Sequence, residues 1–423
     1  MAPILCSRVV LLLVLVSLGL VRAAEGRRLH FVNLIYRHGD RSPINKYPSD
    51  PYTEEDWPQG FGQLTQVGMR QHYELGQFLR KRYEAFLNSS YDRQEIYVRS
   101  TDIDRTLMSA QADLAGLYPP HGHQIFQPDL NWQPIPVHTV PLKDEKLLKF
   151  PLSNCPRYEK LLNESLNSKI IEETMKENQD FLDMLSEKSK LKVMFNNVWK
   201  LYDTLLCEKI HNFTLPSWVT PKVIARLAHL NNLGMEFLFR LHGMQDKSRL
   251  QGGVLLKQIL ENVTRSINVT NSTPRLKMIM YSAHDTTLVA LQMALNVYSG
   301  TIPSYASCHM FELYQEDDGS FTLDMYFRND TSTEPHLLVL PSCSEHCPLE
   351  TFIENTKDLI SDNRDEECKF TSPAPSSIQT ERIVIAVLSV CLLLLILMLI
   401  ALYCFWKRKT HHHRVPSNSE ELA

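Results

Sequence analysis

The sequence predicts an α/β fold: a sheet flanked by helices, with a mostly helical second domain and one C-terminal transmembrane helix. Three patterns carry that expectation. Strand-like apolar runs recur at Leu29–Tyr36, Glu95–Arg99 and Leu276–Ser282, each ending in a charged turn ahead of a helical pattern. From Arg157 to about Asn262 the alternation gives way to long amphipathic stretches rich in Leu, Lys, Glu and Asn. Near the C-terminus, Ile383–Trp406 holds no charged residue, and about 20 apolar residues suffice for a helix to cross a bilayer.

The ends of the 423-residue chain define a topology. Arg8, the apolar run Val9–Val21 and the small Ala23 and Ala24 have the layout of a secretory signal, with Val21 and Ala23 at the spacing a signal peptidase accepts. At the other end Lys407-Arg408-Lys409 follow the apolar run, which puts the tail in the cytosol. The expected layout is a signal peptide (1–24), a first α/β part (25–130), a mostly helical insertion (131–272), a second α/β part (273–368), a luminal stalk (369–382), the transmembrane helix (383–406) and a cytosolic tail (407–423). This is a type I single-pass protein. A net charge of -4 without a basic stripe excludes nucleic acid as a partner.

Cysteines and sequons agree with that topology. Cys6 leaves with the signal and Cys391 and Cys404 lie in the span. The luminal side keeps Cys155, Cys207, Cys308, Cys343, Cys347 and Cys368, an even set whose connectivity the spacing leaves open. Glycosylation acceptors occur at Asn88, Asn163, Asn212, Asn262, Asn268, Asn271 and Asn329, all luminal.

The first strand feeds Arg37-His38-Gly39-Asp40-Arg41-Ser42-Pro43. Tyr47–Gly62, rich in Pro, Asp and Trp, reads as an irregular excursion over the surface. In Gln63–Leu87, Leu64, Val67, Leu75, Phe78, Leu79, Tyr83 and Phe86 recur at helical intervals, with Thr65 as N-cap. After the second strand, Ser100-Thr101-Asp102 supply capping oxygens and Arg105 falls at the first turn of the helix ending at Leu117. Proline keeps Tyr118–Pro156 irregular. Phe195, Trp199 and Met235 of the helical stretch are expected in its core. Asn262–Pro274, with three crowded sequons, reads as an exposed loop. The third strand passes through Ala283-His284-Asp285-Thr286-Thr287 into Leu288–Leu295. Phe311–Tyr314 and Phe321–Phe327 form a hairpin around Asp318-Gly319, and Ser361–Thr380 is a polar stalk.

In open α/β sheets, ligands bind at the carboxyl ends of the strands. If the three strands lie parallel, Arg37, His38, Arg41, Arg105, His284 and Asp285 converge there. Arginine forks match phosphate oxygens and keep their charge, so three of them favour a phosphoryl group over a carboxylate. Each charge contact is worth roughly 4 kcal/mol at an effective dielectric near 20, before desolvation. Neighbouring cations keep a histidine neutral and therefore nucleophilic. Asp285 is placed to protonate the leaving oxygen and then to activate water. The arginines depress its pKa, a bound phosphate dianion raises it again, and an acidic optimum follows. There is no His-Glu-x-x-His, and Cys343 and Cys347 read as a small disulfide loop, so neither a metal nor any other cofactor is expected. The competing reading, a catalytically weak receptor or adhesion ectodomain that uses the pocket only to bind anions, would gain ground if His38 or Asp285 were missing, and neither is.

The Arg37–Pro43 run with His284-Asp285 resembles the histidine acid phosphatase family, of phosphoglycerate-mutase-like fold. The similarity runs from Leu29 to about Cys368 and includes Arg99–Ala110 and Gln251-Gly252-Gly253. It implies hydrolysis of phosphate monoesters, with phosphopeptides or lysophospholipids among the open substrates. His38 becomes the nucleophile, Arg37, Arg41, Arg105 and His284 the phosphate ligands and Asp285 the proton donor. The resemblance also implies a homodimer and disulfides Cys155–Cys368, Cys207–Cys308 and Cys343–Cys347. It further implies residence in the endosomal or lysosomal membrane with the catalytic domain luminal. No tyrosine follows Tyr403 in the tail, which keeps the plasma or a secretory-vesicle membrane open as a destination.

Overall fold

The computed structural model describes residues 26–268, 276–330, 332–369 and 377–411. The first apolar run forms β1 (Arg28–Arg37). Val32, Leu34 and Tyr36 point to one face and Phe31 and Ile35 to the other, so the strand is buried on both sides. It is followed by α1 (Gln66–Arg82), β2 (Ile96–Ser100) and α2 (Asp104–Leu117). Thr65 caps α1, its Oγ1 accepting from Gly68 N at 3.2 Å. Six helices come next: α3 (Pro156–Leu166), α4 (Lys169–Ser189), α5 (Val198–Ile210), α6 (Pro221–Phe239), α7 (Met244–Leu250) and α8 (Gly252–Ile267). The chain returns to the sheet as β3 (Met278–Ala283), α9 (Asp285–Ala294), β4 (Cys308–Gln315), β5 (Phe321–Arg328), β6 (His336–Leu338) and β7 (Cys347–Pro348). Two short helices, α10 (Leu349–Thr356) and α11 (Arg364–Glu367), end this unit.

The strand order is β2-β3-β1-β4-β5-β6, with β7 also pairing β5. β3 runs parallel to both β1 and β2, and β4 returns antiparallel to β1. Arg37 lies opposite Ala283 and Ser100 opposite Ser282, which brings the three charged turns to one edge of the sheet. Leu255, Leu256 and Ile259 of α8 and Leu288 and Leu291 of α9 cover one face, while Leu75, Leu79 and Leu114 of α1 and α2 cover the other. A third core joins α4, α5 and α6 through Leu182, Leu185, Leu201, Leu205, Leu227 and Leu230. α8 therefore packs in the sheet's own core.

Several expectations are refined or corrected. Tyr47–Gly62 is the irregular, largely exposed excursion expected, but it is anchored: Tyr47 and Trp57 are only 2% and 4% exposed, because Trp218, His211 and Phe213 pack against their rings. Trp199 is exposed, whereas Phe195 and Met235 are packed. Ser361–Lys369 is held to the body by the Cys155–Cys368 disulfide and by Arg364, which donates to Leu152 O at 3.2 Å. Cys343–Cys347 is also bonded, but Cys207 and Cys308 are free. The reason is placement: Cys207 sits on α5 with its Sγ 3.7 Å from Arg41 Nη1, while Cys308 lies under α1 and α2 among Val32, Tyr36 and Leu75.

Asn262, expected on an exposed loop, is instead buried in α8, and its Nδ2 donates to Asn33 Oδ1 at 3.0 Å and Tyr281 Oη at 2.9 Å. Asn88, Asn163, Asn212 and Asn268 are exposed, and Asn329 is half-buried with its Oδ1 accepting from Ser304 N at 2.8 Å. Asn271, the signal peptide, residues 370–376 of the stalk and residues 412–423 of the tail lie outside the described residues. A separate unit contains α12 (Ser377–His411), whose segment Val384–Lys407 has a mean hydropathy of 3.3, a single C-terminal membrane helix.

Candidate active site

The loop after β1 is held by its backbone on every side. His38 N donates to Ala283 O at 3.0 Å, and His38 O accepts from Ala306 N at 3.2 Å. Gly39 N donates to Ser109 Oγ at 3.1 Å and Asp40 N to Gln71 Oε1 at 2.8 Å. A side chain at Gly39 would collide with the backbone of Gly68, so only glycine lets the loop lie against α1.

All six chemistry-bearing residues expected from the sequence meet at this edge. The imidazoles of His38 and His284 stand edge-to-face with ring centres 5.6 Å apart. His38 Nδ1 lies 2.8 Å from Gly39 O. A carbonyl oxygen only accepts, so Nδ1 carries the proton and Nε2 keeps its lone pair. Burial first, then the charges of Arg105, Arg37 and Arg41, hold His38 well below the ordinary histidine range. Burial and Arg105 likewise push His284 down to about 3, against the opposing pull of Asp285. His284 Nε2 reaches Thr101 Oγ1 at 3.0 Å, and Thr101 in turn meets Thr106 Oγ1 at 2.7 Å.

The three guanidiniums are not equivalent. Arg37 Nη2 pairs with Asp285 Oδ2 at 2.9 Å, its Nη1 donates to Pro303 O at 2.6 Å, and its Cζ lies 4.2 Å above the Tyr305 ring. Arg41 forks onto Asp203, with contacts of 2.8 and 3.1 Å. Arg105 has no ion-pair partner among the described residues and reaches only Gly62 O, at 3.4 Å. Burial and the neighbouring Arg41 lower Arg105 to about 10. Burial pushes Asp285 up, but Arg37, Arg41 and His284 outweigh it, and its carboxyl sits below the usual aspartate range.

Sequence reasoning missed a rail on α5. Asp203 binds Arg41 and accepts from Ile44 N at 3.2 Å, Cys207 touches Arg41, and His211, just past the helix end, meets Asp40 Oδ2 at 2.6 Å. The four-residue spacing of these three on one helix face was the available signal. The site therefore has a second carboxylate, and with Tyr305, 5.9 Å from the His38 ring, an aromatic wall.

A neutral imidazole among converging guanidiniums can bind a phosphate dianion and present a nucleophile to it. The profile of the Histidine phosphatase superfamily (branch 2) matches residues 28–329. Human lysosomal acid phosphatase is 51% identical over 424 residues, covering 99% of this chain and 98% of that protein. Human prostatic acid phosphatase is 49% identical over 377 residues, covering 88% of this chain and 97% of that protein. Among solved structures, the phytase of Citrobacter braakii superposes with a TM-score of 0.61 at 18% identity, covering 81% of this chain and 100% of the other. A Hafnia alvei phytase in complex with tartrate gives 0.62 at 17% identity, covering 82% and 100%. At that identity the likeness shows the fold alone.

Proposed function

The chain belongs to the histidine phosphatase superfamily, branch 2, as an acid phosphatase of phosphate monoesters, and we propose that it works through a phosphohistidine on His38. The observation that carries this reading is the His38 Nδ1–H bond to Gly39 O, which leaves Nε2 unprotonated among Arg37, Arg41 and Arg105. The Nε2 lone pair attacks phosphorus while the three guanidiniums and His284 hold the non-bridging oxygens. The phosphorus–oxygen bond to the leaving group breaks, and Asp285 gives that oxygen its proton. Water then attacks the phosphohistidine, Asp285 takes the water's proton, and orthophosphate leaves.

In the free site Asp285 is ionised against Arg37. A substrate dianion draws Arg37 and Arg41 to itself and raises the carboxyl, and acid solution completes the protonation. Activity therefore falls as pH rises. The guanidiniums supply the positive charge, so EDTA leaves turnover intact. His38→Ala should abolish hydrolysis of p-nitrophenyl phosphate together with any acid-labile phosphoenzyme, and a phosphoenzyme surviving in that variant overturns the assignment.

The substrates are small phosphomonoesters, with phosphopeptides or lysophospholipids compatible with a mouth walled by Tyr305. The exposed Ile125, Phe126, Leu130 and Trp132 support a homodimer, since such a patch gains by being covered. The membrane helix and the relatives named lysosomal acid phosphatase support an endosomal or lysosomal membrane as the location, with the catalytic unit luminal. The absence of a tyrosine after Tyr403 keeps the plasma or a secretory-vesicle membrane as the alternative. Microscopy of the chain truncated after Lys409 tests the tail: lysosomal delivery that survives the cut means the tail is not the signal.

A further inference from the structure

The peptide joining Arg37 to His38 is the point from which a phosphate clamp and the nucleophile diverge. Its N–H is held by Ala283 O at 3.0 Å. On its other side lies a buried histidine that the reaction scheme does not use. His72, on α1, is fully buried, and its Nε2 lies 3.0 Å from Arg37 O. A carbonyl only accepts, so Nε2 carries a proton and donates it. The other ring nitrogen, Nδ1, faces Asp113 Oδ2 at 3.6 Å, and Asp113, on α2, is as deeply buried. The Tyr36 ring packs at 5.3 Å from the imidazole. A carboxyl on one side and an aromatic ring on another leave this histidine little freedom to turn away from the carbonyl.

We infer that His72 is a positioning residue for the reaction: by donating Nε2–H to Arg37 O it fixes the plane of the Arg37–His38 peptide and so aims His38 Nε2 at phosphorus. In-line transfer tolerates little displacement, and a shift of about 1 Å set from outside the reacting groups costs up to roughly 100-fold in rate. A core histidine serving only to fill space would be replaced without loss by an apolar side chain. A donor to that carbonyl would not. The inference rests on His38 being the nucleophile.

The test is steady-state kinetics on the full chain with p-nitrophenyl phosphate, alongside trapping of the phosphoenzyme. His72→Leu should lower kcat by about 10- to 100-fold with KM rising by less than kcat falls, because Arg41, Arg105 and His284 stay in place. His72→Gln, whose amide nitrogen reaches the position of Nε2, should restore most of the rate. Wild-type kcat in the leucine variant, or a glutamine variant as slow as the leucine one, overturns the inference. If the leucine variant does not accumulate, His72→Gln is compared with His72→Asn, whose amide stops short of the carbonyl. The glutamine protein should then be the faster, and equal rates overturn the inference. His38→Ala separates the two levels. A phosphoenzyme that persists there overturns the nucleophile reading and this inference with it, whereas a dead H38A beside an unimpaired H72L overturns the positioning role alone.

Discussion

At the scale of single residues, the three arginines of the pocket differ in what else they do, and mutation should separate them. Arg41 is tied bidentately to Asp203, so removing it leaves a carboxylate behind in a half-enclosed site. Arg105 holds no carboxylate among the described residues, and its depressed pKa of about 10 says that the fold tolerates rather than needs its charge. Arg105→Ala should therefore lower kcat/KM by about 10²- to 10³-fold, the usual cost of one electrostatic stabiliser, while the melting temperature holds. Arg41→Ala should lose activity to a similar degree and also cost about 2–3 kcal/mol of stability, since Ile44 N–H alone remains to serve Asp203. Calorimetry beside kinetics checks the contrast. Equal melting temperatures for the two variants would refute it.

At the scale of elements, the loop after β1 meets α5 through a pair of acids. Asp50 and Glu208 are 8% and 1% exposed and lie side by side, joined by a hydrogen bond between their carboxyls. Burial, with Asp50 beside it, pushes Glu208 up to about 8, and burial raises Asp50 as well. The folded protein thus keeps a proton that the unfolded chain releases near its ordinary glutamate pKa. Stability from this pair is complete in acid and is lost as pH rises from the unfolded value through about 8. The loss is on the order of a few kcal/mol. Glu208→Gln should flatten the fall in melting temperature between pH 5 and 7.5, and an undiminished fall in that variant would rule the pair out as its source. The same junction marks the limit of what the sequence discloses. Alternation and charged turns reveal β1, β2 and β3 and their six site residues because these signals are local and their convergence follows from parallel pairing. Asp203, Cys207 and His211 recur just as regularly, four residues apart along α5 and its end, but nothing in a helix's own period names the partner its face will meet. The expected Cys207–Cys308 pair is missing for a related reason: both thiols are buried, but Cys207 lies against Arg41 and Cys308 in the core under α1 and α2.

At the scale of the whole molecule, the catalytic unit closes on itself before the membrane segment begins. The sheet, both of its covering layers and every residue of the site precede Cys368, whose disulfide to Cys155 joins the start of α3 to the end of α11. Arg249 reinforces that closure by forking onto Glu367 at 2.6 and 2.8 Å. The apolar helix carries none of these contacts and belongs to the separate unit that begins at Phe370. A chain ending at Lys369 should therefore be soluble and keep kcat/KM within about two-fold of the full protein, because nothing that orients His38 or the arginines is removed. A chain ending at Ile360 lacks Glu367 and Cys368. Losing a long-range disulfide of this kind costs about 2–5 kcal/mol, so this shorter form should melt lower or fail to accumulate although every catalytic residue is present. Equal thermal stability of the two truncations would show that the closure contributes nothing. A large activity loss in the Lys369 form would show that the membrane segment takes part in shaping the site.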